Sequence, residues 1–302
     1  MTEANAHYYA TRDPLGASGD FTTAPEVSQM FGEIVGAALT DCWDRAGRPD
    51  DAVYAELGPG RGTLAVDALR VMRRAGFSGE VHLVETSPTL RAAQAASLAD
   101  AAWHDAIEQL PPVPLLLVAN EFFDALPIRQ WIGTEERRVA LDGERFIFTG
   151  EGAIREDSPA RDSAAAELAE RLAAHGGAAL LIDYGHARSA DGDTLQAMRG
   201  HAFANVLDDP GEQDVTAHVD FERVGNIARE CGSAVDGPVE QGDWLEALGI
   251  SQRAAALAKA SSRASEIAIA RARLCDADAM GKLFRVMALR NRDWPVPAGF
   301  ER

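Results

Sequence analysis

The sequence predicts an α/β fold, a parallel sheet flanked by helices and joined by right-handed crossovers. Three observations carry that prediction. Ala52–Leu57 is a short apolar run that enters the glycine-rich segment Glu56-Leu57-Gly58-Pro59-Gly60-Arg61-Gly62, and Thr63–Ala75 beyond it repeats apolar residues at helical spacing. Glu80-Val81-His82-Leu83-Val84-Glu85 is a second apolar run, roughly 20 residues past the glycines and closed by an acid. The alternation continues with a helix at Pro88–Leu98, a strand at Leu115–Asn120, a helix at Ser163–Ala174 and a strand at Ala178–Asp183.

The glycine-rich segment says most about a ligand. With no Cβ in the way, a ligand approaches the backbone closely, and the first free N–H groups of the following helix point at it. A G-x-G-x-x-G dinucleotide fingerprint needs its third glycine at position 63, which holds Thr63. Here the third glycine is Gly62, giving acidic-x-Gly-x-Gly-x-Gly. That spacing resembles the cofactor loop of class I S-adenosylmethionine (SAM) methyltransferases. It sharpens the fold class to α/β with a Rossmann-like class I SAM methyltransferase sheet carrying helical and loop insertions. A plain strand-to-helix turn is the competing reading. Glu85 supports a nucleoside cofactor in general, because a carboxylate ending the second strand of a βαβ unit accepts both ribose hydroxyls. Taken alone it also reads as a solvated strand-end acid.

Composition narrows the class. The chain has 302 residues, enough for one large or two small domains, with 46% hydrophobic and 25% charged residues as in an ordinary globular protein. No apolar run reaches transmembrane length. The N-terminus, Met1 to Ala6, lacks the features of a secretory signal or an arginine-rich presequence, so a cytoplasmic location is expected. Cys42, Cys231 and Cys275 are odd in number and widely spaced, which fits a reducing compartment and offers no zinc site. The net charge of −18 argues against nucleic acid as a partner and favours a cationic one, such as an arginine-bearing segment. Solubility alone also accounts for that charge.

The remaining elements follow in order. Residues 1–30, rich in Gly, Thr, Pro and aromatics, read as a structured lid loop. Ser28–Asp44 reads as a helix with Met30, Phe31, Ile34, Val35, Ala38 and Leu39 on one face. Ile128–Ile132 reads as a strand, followed by a hairpin of Arg137–Leu141 with Arg145–Thr149 turning at Asp142-Gly143. Residues 184–218 break the rhythm, with His186, Asp191, Asp193, His201, Asp214 and His218 in a polar stretch of little periodicity. It reads as a functional loop insertion. The His and Asp spacing matches no strong metal motif, so loop-ordering hydrogen bonds are preferred and no metal is expected. Phe221–Cys231 and Arg253–Leu274 read as helices, and Lys282–Leu289 as a last strand beside Ser233–Val239. The whole reads as a single domain, 1–302, with a lid at about 1–30 and insertions at about 184–218 and about 240–280.

Five blocks, in order along the chain, resemble the MidA-like family of SAM-dependent methyltransferases. They are Gly19-Asp-Phe-Thr-Thr-Ala-Pro-Glu-Val-Ser-Gln-Met-Phe-Gly-Glu33, Glu56-Leu-Gly-Pro-Gly-Arg-Gly-Thr-Leu64, Asn120-Glu-Phe-Phe-Asp-Ala-Leu-Pro127, Ile182-Asp-Tyr-Gly-His186 and Asp214-Val-Thr-Ala-His-Val-Asp-Phe221. The first and third are long and unusual. The family includes a mitochondrial complex I assembly protein arginine methyltransferase. The resemblance therefore implies S-adenosyl-L-methionine as cofactor, an arginine-bearing protein substrate among respiratory complex I subunits, and no metal. A homodimer is left open. Family members carry a helical segment before the Tyr8-Tyr9 region, where this chain starts, so closure over the cofactor is expected to be weaker or to use another subunit.

Carried onto these positions, the resemblance puts Gly58, Pro59, Gly60 and Gly62 on the methionine and ribose side of SAM. Glu56 would anchor the amino end, or else cap the loop's own N–H groups. Glu85 would hold the ribose. Trp103-His104-Asp105-Ala106 resembles the adenine-contacting turn, with Asp105 accepting from the adenine amino group and Ala106 beside the ring. Asp105 also reads as an N-cap for Ala106–Gln109. In the loop Gly19–Glu26, Asp20, Thr22, Thr23 and Glu26 offer polar atoms and Phe21 a lid, while the same loop reads as the N-cap region of a helix Pro25–Asp44. Asn120 and Glu121 end a strand where open α/β sheets bind ligands. A guanidinium stays protonated and is a poor nucleophile. Methyl transfer to it needs a carboxylate that orients it and receives charge as a proton leaves. Glu121 is the first candidate and Asp124 the second, with Asn120 and Glu26 in support. A local cap before Pro127 is the other reading of Asp124. Phe122 and Phe123 would wall the channel, and Tyr184-Gly185-His186 would help form the substrate pocket. The rival functions are a non-catalytic SAM-binding assembly factor and a small-molecule methyltransferase, which needs a closed apolar pocket.

Overall fold

The computed structural model describes residues 1–11 and 23–300. The chain opens with α1 (Thr2–Thr11), the short α2 (Ala24–Val27) and the long α3 (Gln29–Arg45). An alternating stretch follows: β1 (Val53–Leu57), α4 (Thr63–Arg74), β2 (Val81–Val84), α5 (Pro88–Ala95), β3 (Ala102–His104) and β4 (Leu115–Asn120). Next come β5 (Arg129–Ile132), β6 (Glu135–Arg137), β7 (Val139–Asp142), β8 (Arg145–Phe148) and β9 (Ile154–Asp157), then α6 (Pro159–His175) and β10 (Gly177–His186). β11 (Gln196–Arg199), β12 (Ala202–Ala204) and β13 (Asp214–Thr216) form a small sheet ahead of β14 (Val219–Asp220) and α7 (Phe221–Glu230). The chain closes with β15 (Ala234–Glu240), α8 (Gln241–Ala247), α9 (Ile250–Ala260), α10 (Ala264–Cys275), α11 (Met280–Leu283) and β16 (Phe284–Arg290).

Among the described residues the central sheet has eight strands in the order β15-β16-β10-β4-β1-β2-β3, with β14 pairing off β10. β10, β4, β1, β2 and β3 run parallel, and β16 is antiparallel to both its neighbours. The chain leaves β1 toward β2 on one side and returns to β4 on the other. The carboxyl ends of β1 and β4 therefore part at a topological switch point, the place where open α/β sheets bind ligands. The register Leu57↔Ala119 sets those two ends level.

Helices cover both faces, so β1 and β4 are buried along their whole length. Successive side chains alternate between faces. Tyr54, Leu116, Val118, Leu180 and Ile182 join the core under α3, α4 and α8, whereas Ala55, Leu57, Leu117 and Leu181 join the core under α6 and α7. α3 lies close on α4 because Gly36 has no side chain: a Cβ there would stand 2.5 Å from the Ala68 carbonyl oxygen.

Several expectations are corrected. Part of the predicted lid loop is helical: α1 spans Thr2–Thr11, free of Gly and Pro and with Glu3 favourably placed in its first turn. The expected helix Pro25–Asp44 is two helices, because Ser28 is extended (φ −167) and its hydroxyl accepts from Met30 N at 3.2 Å, capping α3. Residues 184–218 contain the β11–β13 sheet rather than loop alone; strands of three or four residues are too short to show a period. Arg253–Leu274 is broken between α9 and α10, where Ser261 is extended. β15 and β16 do pair antiparallel, with α8 to α11 between them. The hairpin of β7 and β8 stands where expected and turns through Gly143 at φ +62.

Candidate active site

Strand β1 passes into α4 through Gly58 and Gly60, which adopt left-handed φ values of +60 and +55. A Cβ on Gly58 would meet Phe122 Cδ2 at 3.0 Å. α2 reaches this loop through Glu26, whose Oε1 accepts from Thr63 Oγ1 at 2.6 Å and whose Oε2 is 4.0 Å from Arg61 Nη1. The fully buried Gln94 of α5 ties the loop to β2. Its Nε2 donates to the Gly60 carbonyl at 2.7 Å and to Glu85 Oε2 at 3.4 Å, and its Oε1 accepts from Trp103 Nε1 at 2.7 Å. Ser87 N donates to Glu85 Oε1 at 2.8 Å. Burial raises the Glu85 carboxyl above its ordinary value against those hydrogen bonds. Burial likewise pushes Glu56 up to about 8, although the Tyr54 hydroxyl donates to it at 2.6 Å.

The end of β4 carries a second set of acids. Asn120 Nδ2 and Ala24 N both donate to Glu121 Oε1, at 3.2 and 3.3 Å. Glu121 itself sits at φ +50, a conformation unfavourable for a residue with a Cβ, so its surroundings hold it there. Burial, and then the charge of Asp124, push its carboxyl up to about 8. Asp124 Oδ2 accepts from the Tyr184 hydroxyl at 2.6 Å. Burial raises this carboxyl too.

The turn after β4 is held from below. Asp183 accepts from Phe123 N and Asp124 N at 3.0 and 3.1 Å, and from Tyr184 N at 2.9 Å. The buried Arg161 guanidinium donates to the carbonyls of Phe123, Asp124, Ala217 and His218 at 2.7, 3.1, 2.7 and 2.6 Å. It thereby binds the β4 turn to the segment after β13. Asn5 of α1 adds a third strap, donating to Ala125 O at 3.0 Å and Val215 O at 2.8 Å.

Both sets open into one cavity of about 680 Å³. Glu56, Gly58, Pro59, Gly60 and Glu85 line one side, and Asn120, Glu121 and Asp124 the strand end. Thr23 and Glu26 line it from the α2 region, and Tyr184 and residues of the β11–β13 sheet line it as well. Three predicted contacts are not brought in. Gly62 is the left-handed N-cap of α4, and a Cβ there would meet Leu98 and Gln94 rather than the cavity. Asp105 is exposed and paired with Arg91 at 2.7 Å, and it does not cap the 3-10 turn Ile107–Gln109. Ala106 lies beside it, off the cavity lining. Asp20 and Thr22, with Phe21, lie outside the described residues.

The residues present fit a nucleoside cofactor that carries an amino-acid tail. A loop open at two glycines faces a strand-end carboxylate. Asn120 Oδ1 and Asp124 Oδ1, in buried residues that line the cavity, have no hydrogen-bond partner among the described residues. Buried polar atoms without partners are costly, and a ligand bound in the cavity would satisfy these two. Gly60→Val would put a branched side chain into the approach path at a left-handed position. It is expected to weaken SAM binding, measured by calorimetry, by about 100-fold or more. Unchanged affinity would move the cofactor away from this loop.

Comparison with known proteins identifies the cofactor class. Residues 34–150 and 134–239 match the family model Methyltransf_28, described as "Putative S-adenosyl-L-methionine-dependent methyltransferase". A Xenopus tropicalis relative named protein arginine methyltransferase NDUFAF7, mitochondrial, is 34% identical, covering 100% of this chain and 84% of the relative. The Drosophila melanogaster homolog is 35% identical over 82% of this chain and 69% of its own. The human protein is 32% identical over 88% and 71%. A superfamily member from Burkholderia thailandensis, solved bound to S-adenosyl-homocysteine, superposes with a TM-score of 0.84 at 25% identity, covering 99% of this chain and 88% of that one. The expected cytoplasmic location is overturned, since these relatives carry "mitochondrial" in their names. No described helix is long and apolar enough to cross a membrane. The chain belongs to this family of S-adenosyl-L-methionine-dependent methyltransferases, with S-adenosyl-L-methionine as its cofactor.

Proposed function

We propose that the chain methylates an arginine side chain of a protein, and that the protein is a respiratory complex I subunit, as the family resemblance implies. The relatives' names support the arginine. The observation that carries the reading is the pair Glu121 and Asp124 in the same cavity as the glycine loop. A guanidinium is always charged at neutral pH, and two acids at the cavity's strand end are its natural counterpart.

Glu85 would hold the ribose, Gly58, Pro59 and Gly60 would lie along the methionine side, and Glu56 and Asn120 would orient the tail, with Thr23 and Glu26 covering the loop. The bound cofactor supplies an electrophilic methyl on a sulfonium. Glu121 holds the guanidinium so that one nitrogen faces that methyl, a matter of alignment worth about 7–11 kcal/mol in favourable systems. The guanidinium nitrogen would take the methyl as the methyl–sulfur bond breaks and the neutral thioether leaves, and the guanidinium proton would pass to Glu121 in its ionised form, which the incoming cation favours. Asn120 Nδ2 and Ala24 N keep that carboxylate in position. Asp124, held by Tyr184, takes the second donor pair of the planar fork.

The test is direct. The purified chain, given methyl-labelled SAM and isolated complex I, should yield labelled methylarginine after acid hydrolysis. Label found only in lysine, histidine or small molecules would remove the arginine reading.

A further inference from the structure

The cavity wall formed by the β11–β13 sheet is graded along one line. Met198 of β11 pairs with Phe203 of β12 on one side and with Asp214 of β13 on the other. Residues directly opposite each other share a sheet face, so Phe203, Met198 and Asp214 stand in a row. All three line the cavity, and so do Gln196 and Thr216, the pair two residues along on the same face. Ala197 and Val215, between those rows, are buried on the other face.

Burial changes steadily along the row. Asp214 is 5% exposed and Phe203 is 77% exposed, with Met198 between them half-buried. Leu283, 48% exposed, lines the same cavity from the segment just before β16. At the deep end Asp124 is only 5% exposed and its Oδ1 has no partner among the described residues. Glu121 feels the charges of both Asp124 and Asp214. The wall thus runs from large exposed apolar groups, through a flexible thioether, to a buried acidic floor. A long alkyl stem with a cationic tip is the complement of that gradient. Met packs adaptably against such a stem.

We propose that this row is the acceptor channel and sets a sequence preference. Asp214 holds the cationic tip beside Glu121, Met198 packs on the alkyl stem, and Phe203 with Leu283 grips a large apolar residue next to the target in the acceptor protein. This rests on the arginine reading above and adds a rule to it: the methylated arginine has apolar neighbours.

Binding to the full chain loaded with S-adenosyl-homocysteine tests the rule without turnover. The probes are acetyl-Leu-Arg-Leu-amide, acetyl-Gly-Arg-Gly-amide and acetyl-Leu-citrulline-Leu-amide, measured by calorimetry. The leucine-flanked arginine peptide should bind about tenfold more tightly than the glycine-flanked one, the value of one well-buried apolar contact. It should also bind more tightly than the uncharged citrulline peptide. Phe203→Ser, at an exposed position, should erase the leucine preference and leave S-adenosyl-homocysteine affinity unchanged. Asp214→Asn should weaken the arginine preference, which Glu121 and Asp124 then carry alone, with S-adenosyl-homocysteine affinity as the check on folding. A wild-type protein that prefers arginine to citrulline but not leucine to glycine overturns the channel and leaves the arginine reading standing. So does a leucine preference that survives in both Phe203→Ser and Met198→Ser. No discrimination between arginine and citrulline overturns both.

Discussion

Replacing Glu121 with Gln is expected to leave SAM affinity unchanged and to lower methyl transfer by about 10²–10⁴-fold, the range for loss of a positioned proton acceptor. Gln keeps the shape and still accepts from Asn120 Nδ2 and Ala24 N, but it cannot take a proton or balance a guanidinium. Single-turnover assays with saturating cofactor check this. Wild-type turnover in the variant would remove Glu121 from the mechanism.

The same variant should reveal the free-energy cost of the acid. The folded Glu121 carboxyl is raised from 4.5 to about 8 by burial and by Asp124. Between those values the folded chain keeps a proton that the unfolded chain has released. Its contribution to stability is therefore neutral below about 4.5 and turns progressively unfavourable as pH rises toward 8. Glu121→Gln should be more stable than wild type at pH 8 by about 2–4 kcal/mol, and the gap should close toward pH 4.5. Urea unfolding at the two pH values reads it. An equal gap at both would mean that Glu121 ionises without penalty. A cation entering the site favours the ionised form, so acceptor affinity should rise from pH 7 to pH 8 in wild type and stay flat in the variant.

Arg161→Met is expected to destabilise the fold by about 3–5 kcal/mol, the penalty for removing one partner from a buried charged group. The guanidinium serves four carbonyls at once and faces the charges of Asp183 and Asp124. Met fills the volume but leaves those acceptors dry and both carboxyls without a cation. Thermal unfolding should show the loss. The variant should also release the segment after β13 from the β4 turn, seen as faster amide exchange at Ala217 and His218. Near-wild-type stability would mean that water replaces the guanidinium.

The glycine loop, Glu85 and the Asn120–Asp124 segment were legible because each is a local pattern. Spacing within a few residues sets a turn, and a strand's end follows from where its apolar run stops. Asp105 and Gly62 were misplaced for a related reason: chain position puts them near the cofactor loop, but not which way they face. Asp105 turns outward to Arg91, and Gly62 makes room for α5. Gln94, Arg161 and Asn5 had no local signature. Their partners lie far along the chain, as in the bond from Asn5 to Val215. The row Phe203, Met198 and Asp214 was hidden as well, because strands of three or four residues carry no readable period and their pairing register is a tertiary fact.

By itself, then, the sequence determined the strand–helix alternation, the cofactor class and the strand end that carries the acids, since these depend on backbone geometry and short-range spacing. Only the tertiary structure decided which acids share one cavity, how far burial raises them, and which short strands line that cavity with them. Those properties arise from desolvation and from contacts between segments that meet only when the sheet closes.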